Sequence, residues 1–124
     1  MAYLWVAAGG ALGAMARYSV VTLTSRFIEH SFFYGTLIAN LLGSFAIGML
    51  YVWLVEQQLG SSWYRPLMMV GFLGAFTTFS TFSLDSLLLI EQGRFGTFAL
   101  YAGVSVGGCL LATLAGMWLS KSVI

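Results

Sequence analysis

Four apolar tracts, at residues 2–25, 33–55, 66–90 and 95–120, take up nearly the whole chain and leave only short connections between them. Each exceeds the roughly 20 residues that a helix needs to cross ~30 Å of hydrocarbon. In that medium a helix satisfies its own backbone hydrogen bonds, which an open strand cannot do. The tracts therefore predict an all-α integral membrane protein with four transmembrane helices, forming one domain over residues 1–124. Composition points the same way, since 60% hydrophobic and 7% charged residues leave too little polar surface for a water-soluble domain of this size. The first tract lacks a basic leader and continues through a Gly-rich stretch containing Arg17, so it reads as a mature span and not as a cleaved signal.

Five basic residues, four acidic residues and one histidine give a net charge of +1, with no clustered cations of the kind a nucleic acid requires. Most of the charge sits in the connections: Arg26, Glu29 and His30 in the first, Glu56 and Arg65 around the second, Glu91 and Arg94 in the third. An even number of spans puts both termini on one side, with Arg65 and Lys121 there and Arg26 and Arg94 opposite. The positive-inside rule has no preferred answer for such a balance. Copies inserting both ways and pairing antiparallel are one consequence; a small bias from the amino terminus or from loop depth, fixing one orientation, is the other. Small residues spaced by four (Gly9 with Gly13, Ala39 with Gly43, Gly103 with Gly107, and Gly108, Ala112, Gly116) allow close helix contacts, within one bundle or between chains. Tyr3, Trp5, Trp53, Trp63, Tyr64 and Trp118 near tract ends suit interfacial belts. Cys109 is the single cysteine, so no intrachain disulfide can form.

The third tract departs from a plain apolar helix. Between Gly74 and Ser83 it carries five hydroxyl side chains, at a depth where polar groups tend to mark a site or a pathway. Gly71 and Gly74 supply flexibility, and Thr77, Thr78, Ser80 and Thr81 can satisfy backbone groups freed by a break, so a third helix broken near its middle is allowed where protein surrounds it. Carbonyls released there are hard oxygen ligands suited to a monovalent cation. Asn40, near the middle of the second tract, brings a carboxamide with two donors that needs partners. Phe79 and Phe82, three residues apart, share a helix face, and the positive edge of a phenyl ring can hold a small desolvated anion. Thr36, one turn before Asn40, and Tyr101 with Ser105, also one turn apart, could extend a polar track toward Cys109. Arg17 either snorkels to the nearer surface or faces a wet vestibule and draws anions to it.

Three motifs together resemble the Fluc (CrcB) family of bacterial fluoride channels. They are Gly9-Gly10-Ala11-Leu12-Gly13-Ala14-Met15-Ala16-Arg17-Tyr18, then Gly35-Thr36 with Asn40 and Gly43-Ser44-Phe45, and Gly71-Phe72-Leu73-Gly74 running into Thr77-Thr78-Phe79-Ser80-Thr81-Phe82. The similarity covers essentially the whole chain. It implies an antiparallel, dual-topology homodimer in the bacterial inner membrane, with two fluoride pores along the subunit interface and a structural sodium ion (Na+) at the dimer centre. Carried over by position, Gly74 and Thr77 give backbone carbonyls to sodium. Asn40, Phe79, Phe82, Thr81, Tyr101, Ser105 and Thr36 line the fluoride route, and Arg17 stands at its vestibule. Two positions depart from what the resemblance leads one to expect: Cys109 where a hydroxyl is expected, and Asp85 where a glutamate is. The implied transport is passive and electrogenic, with no enzymatic step, and its partners are fluoride, lipid and a second copy of the chain. The alternatives are a small multidrug-type antiporter, which needs an acid deep in the first span where none is found, or a non-transporting assembly module.

Overall fold

The computed structural model describes residues 1–29, 32–58, 60 and 62–124, so His30 lies outside the described residues. Among them, four helical stretches are long and apolar enough to cross a membrane: Ala2–Phe27, Tyr34–Glu56, Arg65–Glu91 and Phe95–Val123. These spans coincide with the four apolar tracts to within a few residues, because an uninterrupted apolar run of this length has few other ways to satisfy its backbone in lipid.

The first span is one helix, α1 (Ala2–Phe27). The second begins as α2 (Tyr34–Leu50) and widens into π-helical turns over Tyr51–Glu56, closed by the Gln57 N–H donating to the Val52 carbonyl at 2.8 Å. The third opens with a π-helical stretch, Arg65–Leu73, whose Pro66 falls in the first turn, where a missing N–H has no helical partner to lose. It continues as α3 (Gly74–Phe76), passes through Thr77 and Thr78 with extended dihedral angles, and resumes as α4 (Phe79–Glu91). The helix α4 ends in a glycine cap: Gly93 takes φ +73°, its N–H donates to the Ile90 carbonyl and the Arg94 N–H to the Leu89 carbonyl. The last span is α5 (Phe95–Val123).

Two helix pairs dominate the packing, α1 against Arg65–Leu73 and α2 against α5. Both are glycine-mediated. A Cβ placed on Gly13 would fall on the Phe72 carbonyl, and one on Gly116 on the Phe45 carbonyl, so the backbones meet with no side chain between them. The second pair is also tied by the Thr113 hydroxyl, which donates to the Ser44 carbonyl at 3.0 Å, and at its end by Lys121 Nζ and Glu56 Oε1, 3.7 Å apart. Of the small-residue pairs read from sequence, Gly9 and Gly13 thus serve contacts within the chain. Gly103 and Gly107 have no atom within 4 Å of where a Cβ would stand, so neither opens room for a close helix contact among the described residues. Two buried clusters complete the interior, Phe33 with Leu89 and Tyr101, and Ala39 with Leu73 and Phe76.

Gly13→Val drives a branched side chain into the Phe72 backbone and is expected to cost about 1–3 kcal/mol, the usual range for overpacking. A lowered melting temperature in detergent reads it out, with Gly96→Ala, which meets nothing within 4 Å, as the tolerated control. A Gly13→Val protein that melts with the parent contradicts this packing.

Candidate functional site

The third span solves a hydrogen-bonding problem at Thr77 and Thr78. Extended residues inside an apolar span forfeit helical bonds, and in hydrocarbon each unpaired amide or carbonyl costs several kcal/mol. Asn40 on α2 meets Thr78 with both halves of its carboxamide: the Thr78 N–H donates to Oδ1 at 2.8 Å and Nδ2 donates to the Thr78 carbonyl at 3.1 Å. This two-point match also fixes which amide atom is which. The Thr78 hydroxyl accepts from the Thr81 N–H at 3.2 Å and so caps α4.

Arg17 of α1 serves the same break from the other side. Its Nε donates to the Ala75 carbonyl at 3.0 Å, and its Nη1 makes a long 3.5 Å contact to the Thr81 hydroxyl. The side chain is therefore turned toward the third span, where it replaces the Phe79 N–H that an unbroken helix would supply to Ala75.

An accounting of the remaining donors singles out two carbonyls. The Leu73 carbonyl is doubly occupied, by the Thr77 N–H at 3.0 Å and the Thr77 hydroxyl at 2.9 Å. The Thr78 N–H, the regular helical partner of the Gly74 carbonyl, goes to Asn40. The Thr81 N–H, the regular partner of the Thr77 carbonyl, goes to the Thr78 hydroxyl. Gly74 and Thr77 thus have their helical donors diverted, which leaves oxygens of the kind that ligate a hard cation. Among the described residues, no cluster of three or more His, Cys, Asp or Glu side chains could hold a metal ion.

Beside the break lies an open groove of about 470 Å³, walled by α2, the third span and α5. Asn40, Gly74, Thr77, Phe79, Phe82 and Ser105 all line it, which brings together six residues singled out in the sequence. The two phenyl rings lie 5.5 Å apart, centroid to centroid, at 49°. Phe79 is 77% exposed on this single chain, so its ring faces a side of the groove that the chain does not close. Ser105 is only 7% exposed, and its hydroxyl has no hydrogen-bond partner among the described residues.

Thr36 and Tyr101 stand elsewhere, behind Phe82. The Tyr101 ring packs 5.1 Å from that of Phe82 and 5.1 Å from that of Phe33. Its hydroxyl donates to Asp85 Oδ2 at 3.1 Å, and all three polar residues, Thr36, Asp85 and Tyr101, are buried. Thr81 and Arg17 likewise sit at the break and not on the groove wall.

Nearly the whole chain is similar in sequence to known proteins. A family model described as CrcB-like protein, Camphor Resistance (CrcB), matches residues 4–117. The chain belongs to the CrcB family. Curated relatives within reach include the fluoride-specific ion channel FluC of Hahella chejuensis, 45% identical over 121 residues, which are 98% of this chain and 95% of that protein. Those of Cereibacter sphaeroides and Aeromonas salmonicida bear the same name. The first is 47% identical over 114 residues, covering 92% of this chain and 90% of the relative; the second is 40% identical over 120, covering 97% and 96%.

Two parts of the site in this family member escape sequence reasoning. The Asn40 partnership with the Thr78 backbone spans 38 positions, and a carboxamide among apolar residues announces a need for partners without saying which. The Tyr101 bond to Asp85 could have been sought from the presence of one acid inside a span, since a buried carboxylate demands a donor. Tyr101→Phe removes that donor from a buried acceptor, at a cost of about 1–3 kcal/mol. Thermal unfolding in detergent checks it, and an unchanged midpoint contradicts the bond.

Proposed function

We propose that this CrcB family member is a fluoride-specific channel of the bacterial inner membrane, and that fluoride passes along the groove lined by Asn40, Phe79, Phe82 and Ser105. The observation that carries this reading is the groove itself, an apolar-walled trough in a membrane protein lined by a carboxamide, hydroxyl residues and two phenyl rings, with one side open. The fluoride-specific names of its relatives support the choice of ion.

The working unit is an antiparallel, dual-topology homodimer of the single four-span domain, residues 1–124. A second copy laid against the open side would complete each groove into a pore, and the even Lys and Arg balance of the connections permits both insertions. The third span works as a helix broken near its middle, with Thr77 and Thr78 as the break. A sodium ion at the dimer centre would take the Gly74 and Thr77 carbonyls, whose diverted donors fit a hard monovalent cation. Bound there, it would supply fixed positive charge to hold the two breaks together.

Fluoride is strongly hydrated, so the route must replace its water. Asn40 has one N–H left after serving Thr78, the Ser105 hydroxyl has no partner among the described residues, and the edge of a phenyl ring such as that of Phe79 or Phe82 carries partial positive charge. None of these groups carries a full charge, which keeps binding weak enough for release. Arg17 lends positive potential at the break, where Thr81 also sits, and Thr36 and Tyr101 form the polar support behind the Phe82 ring. Transport is downhill and leaves no covalent intermediate. An antiporter of the multidrug type has no deep acid in α1 to work with, and Asp85 is occupied by Tyr101.

Proteoliposomes loaded with potassium fluoride test the reading. Fluoride efflux that waits for a potassium ionophore is expected, because an electrogenic path stalls without a counter-ion. Phe82→Ile, which swaps the ring for an aliphatic chain, is expected to slow that efflux while dimers still form. Vesicles that hold their fluoride as protein-free ones do would overturn the channel, and Phe82→Ile efflux at the parent rate would remove the ring from the route.

A further inference from the structure

A second cavity, of about 210 Å³, lies apart from the groove. It is a slot between the second and third spans, walled by Ala46, Leu50 and Trp53 on one side and by Met68 and Phe72 on the other, and no charged or hydroxyl side chain lines it. The groove uses neighbouring faces of the same two spans, through Gly43, Ile47 and Met69, and buried Leu73 borders both cavities and walls one from the other. The face proposed for a second copy is thus a different one.

Both spans leave the α pitch at the slot. Trp53 belongs to the π-helical turns Tyr51–Glu56, and Met68, Phe72 and Leu73 belong to the π-helical stretch Arg65–Leu73. Such turns are uncommon and recur at functional sites. Where the other spans meet backbone to backbone they do so over glycines such as Gly13 and Gly116, whereas no glycine lines the slot. From Ala46 to Trp53 the wall rises about 10 Å at ~1.5 Å per residue, some two-thirds of a ~15 Å leaflet. The slot therefore runs along the spans from mid-membrane toward the level of the interfacial aromatics, which is the path of an acyl chain.

Charge at the outer end says which lipid. Arg65 precedes Met68 by three residues and stands about 5 Å further out along the helix. It is exposed, and among the described residues no carboxylate lies within 4 Å of it. The acid that could repel an anionic headgroup is Glu56, three residues beyond Trp53 on the other wall, and Lys121 pairs with it at 3.7 Å. One guanidinium without an acid partner remains at the mouth, and its fork of donors suits a phosphate.

We propose that the slot holds one acyl chain of an anionic phospholipid, whose headgroup phosphate Arg65 binds at the mouth. The inference is independent of the conduction route. Purified full-length chain equilibrated with micelles holding equal amounts of phosphatidylglycerol and phosphatidylcholine of the same acyl chains tests it, with native mass spectrometry counting each lipid retained. Expected is one phosphatidylglycerol per chain, retained in clear preference to phosphatidylcholine. Arg65→Gln should lower that preference about fivefold, the worth of one basic side chain at a lipid surface, and Arg65→Lys should keep most of it. Ala46→Leu, which fills the slot, should lower retention of both lipids; Met68→Phe takes its place if that variant does not purify folded. Equal retention of the two lipids by the parent overturns the site, as does an Arg65→Gln protein with the parent preference or a filled slot that retains lipid as the parent does. Phosphatidylglycerol held by monomers and shed on dimerisation gives the slot to the second copy and overturns it too. No transport is read, so failure here and failure of the channel reading are told apart.

Discussion

A backbone that leaves the helix inside hydrocarbon must find new partners for every amide and carbonyl it exposes. That constraint organises this molecule. Thr77 and Thr78 are extended within the third span, and the surrounding residues answer for them one group at a time: Asn40 for both backbone groups of Thr78, Arg17 for the Ala75 carbonyl, and the Thr78 hydroxyl for the first turn of α4. The glycines that let α1 lie directly on Leu67 and Phe72 bring Arg17 close enough to reach across. Packing and polar satisfaction are in this sense one arrangement, because loosening the α1 contact would withdraw a donor from the break.

The same arrangement gives the groove its chemistry. Asn40 is held rigid by its two bonds to Thr78, so its remaining N–H points from a fixed place. Thr78 caps α4, which fixes the register of Phe79 and Phe82 along the groove. Behind them, Tyr101 and Asp85 form a buried pair that braces the Phe82 ring from the rear. In the proposed channel, fluoride therefore meets preorganised partial charges whose positioning cost was met on folding, so little reorganisation is left to oppose its passage.

The spans were legible because length and hydropathy alone decide them: α1 and α5 are single uninterrupted apolar runs, and the second and third spans follow the tracts read from the sequence. The site was legible in its residue types. Asn40 and the hydroxyl-rich run are anomalies in lipid, and Asn40, Thr77 and Thr78 line one groove together with Phe79 and Phe82. Their partnerships were not legible, since hydrogen bonds such as Asn40 to Thr78 and Arg17 to Ala75 join residues far apart in sequence and depend on which helices touch. The π-helical turns over Tyr51–Glu56 and Arg65–Leu73 left no mark at all, because an apolar run reads alike at either helical pitch.

The claim that neutral groups around a satisfied backbone break carry the anion is tested most directly at Asn40. Asn40→Ala removes both bonds to Thr78 and the spare donor in the groove without adding charge. Fluoride efflux from proteoliposomes holding equal amounts of dimeric parent and variant is the measurement. The account predicts loss of efflux; a variant that empties its vesicles at the parent rate would contradict it.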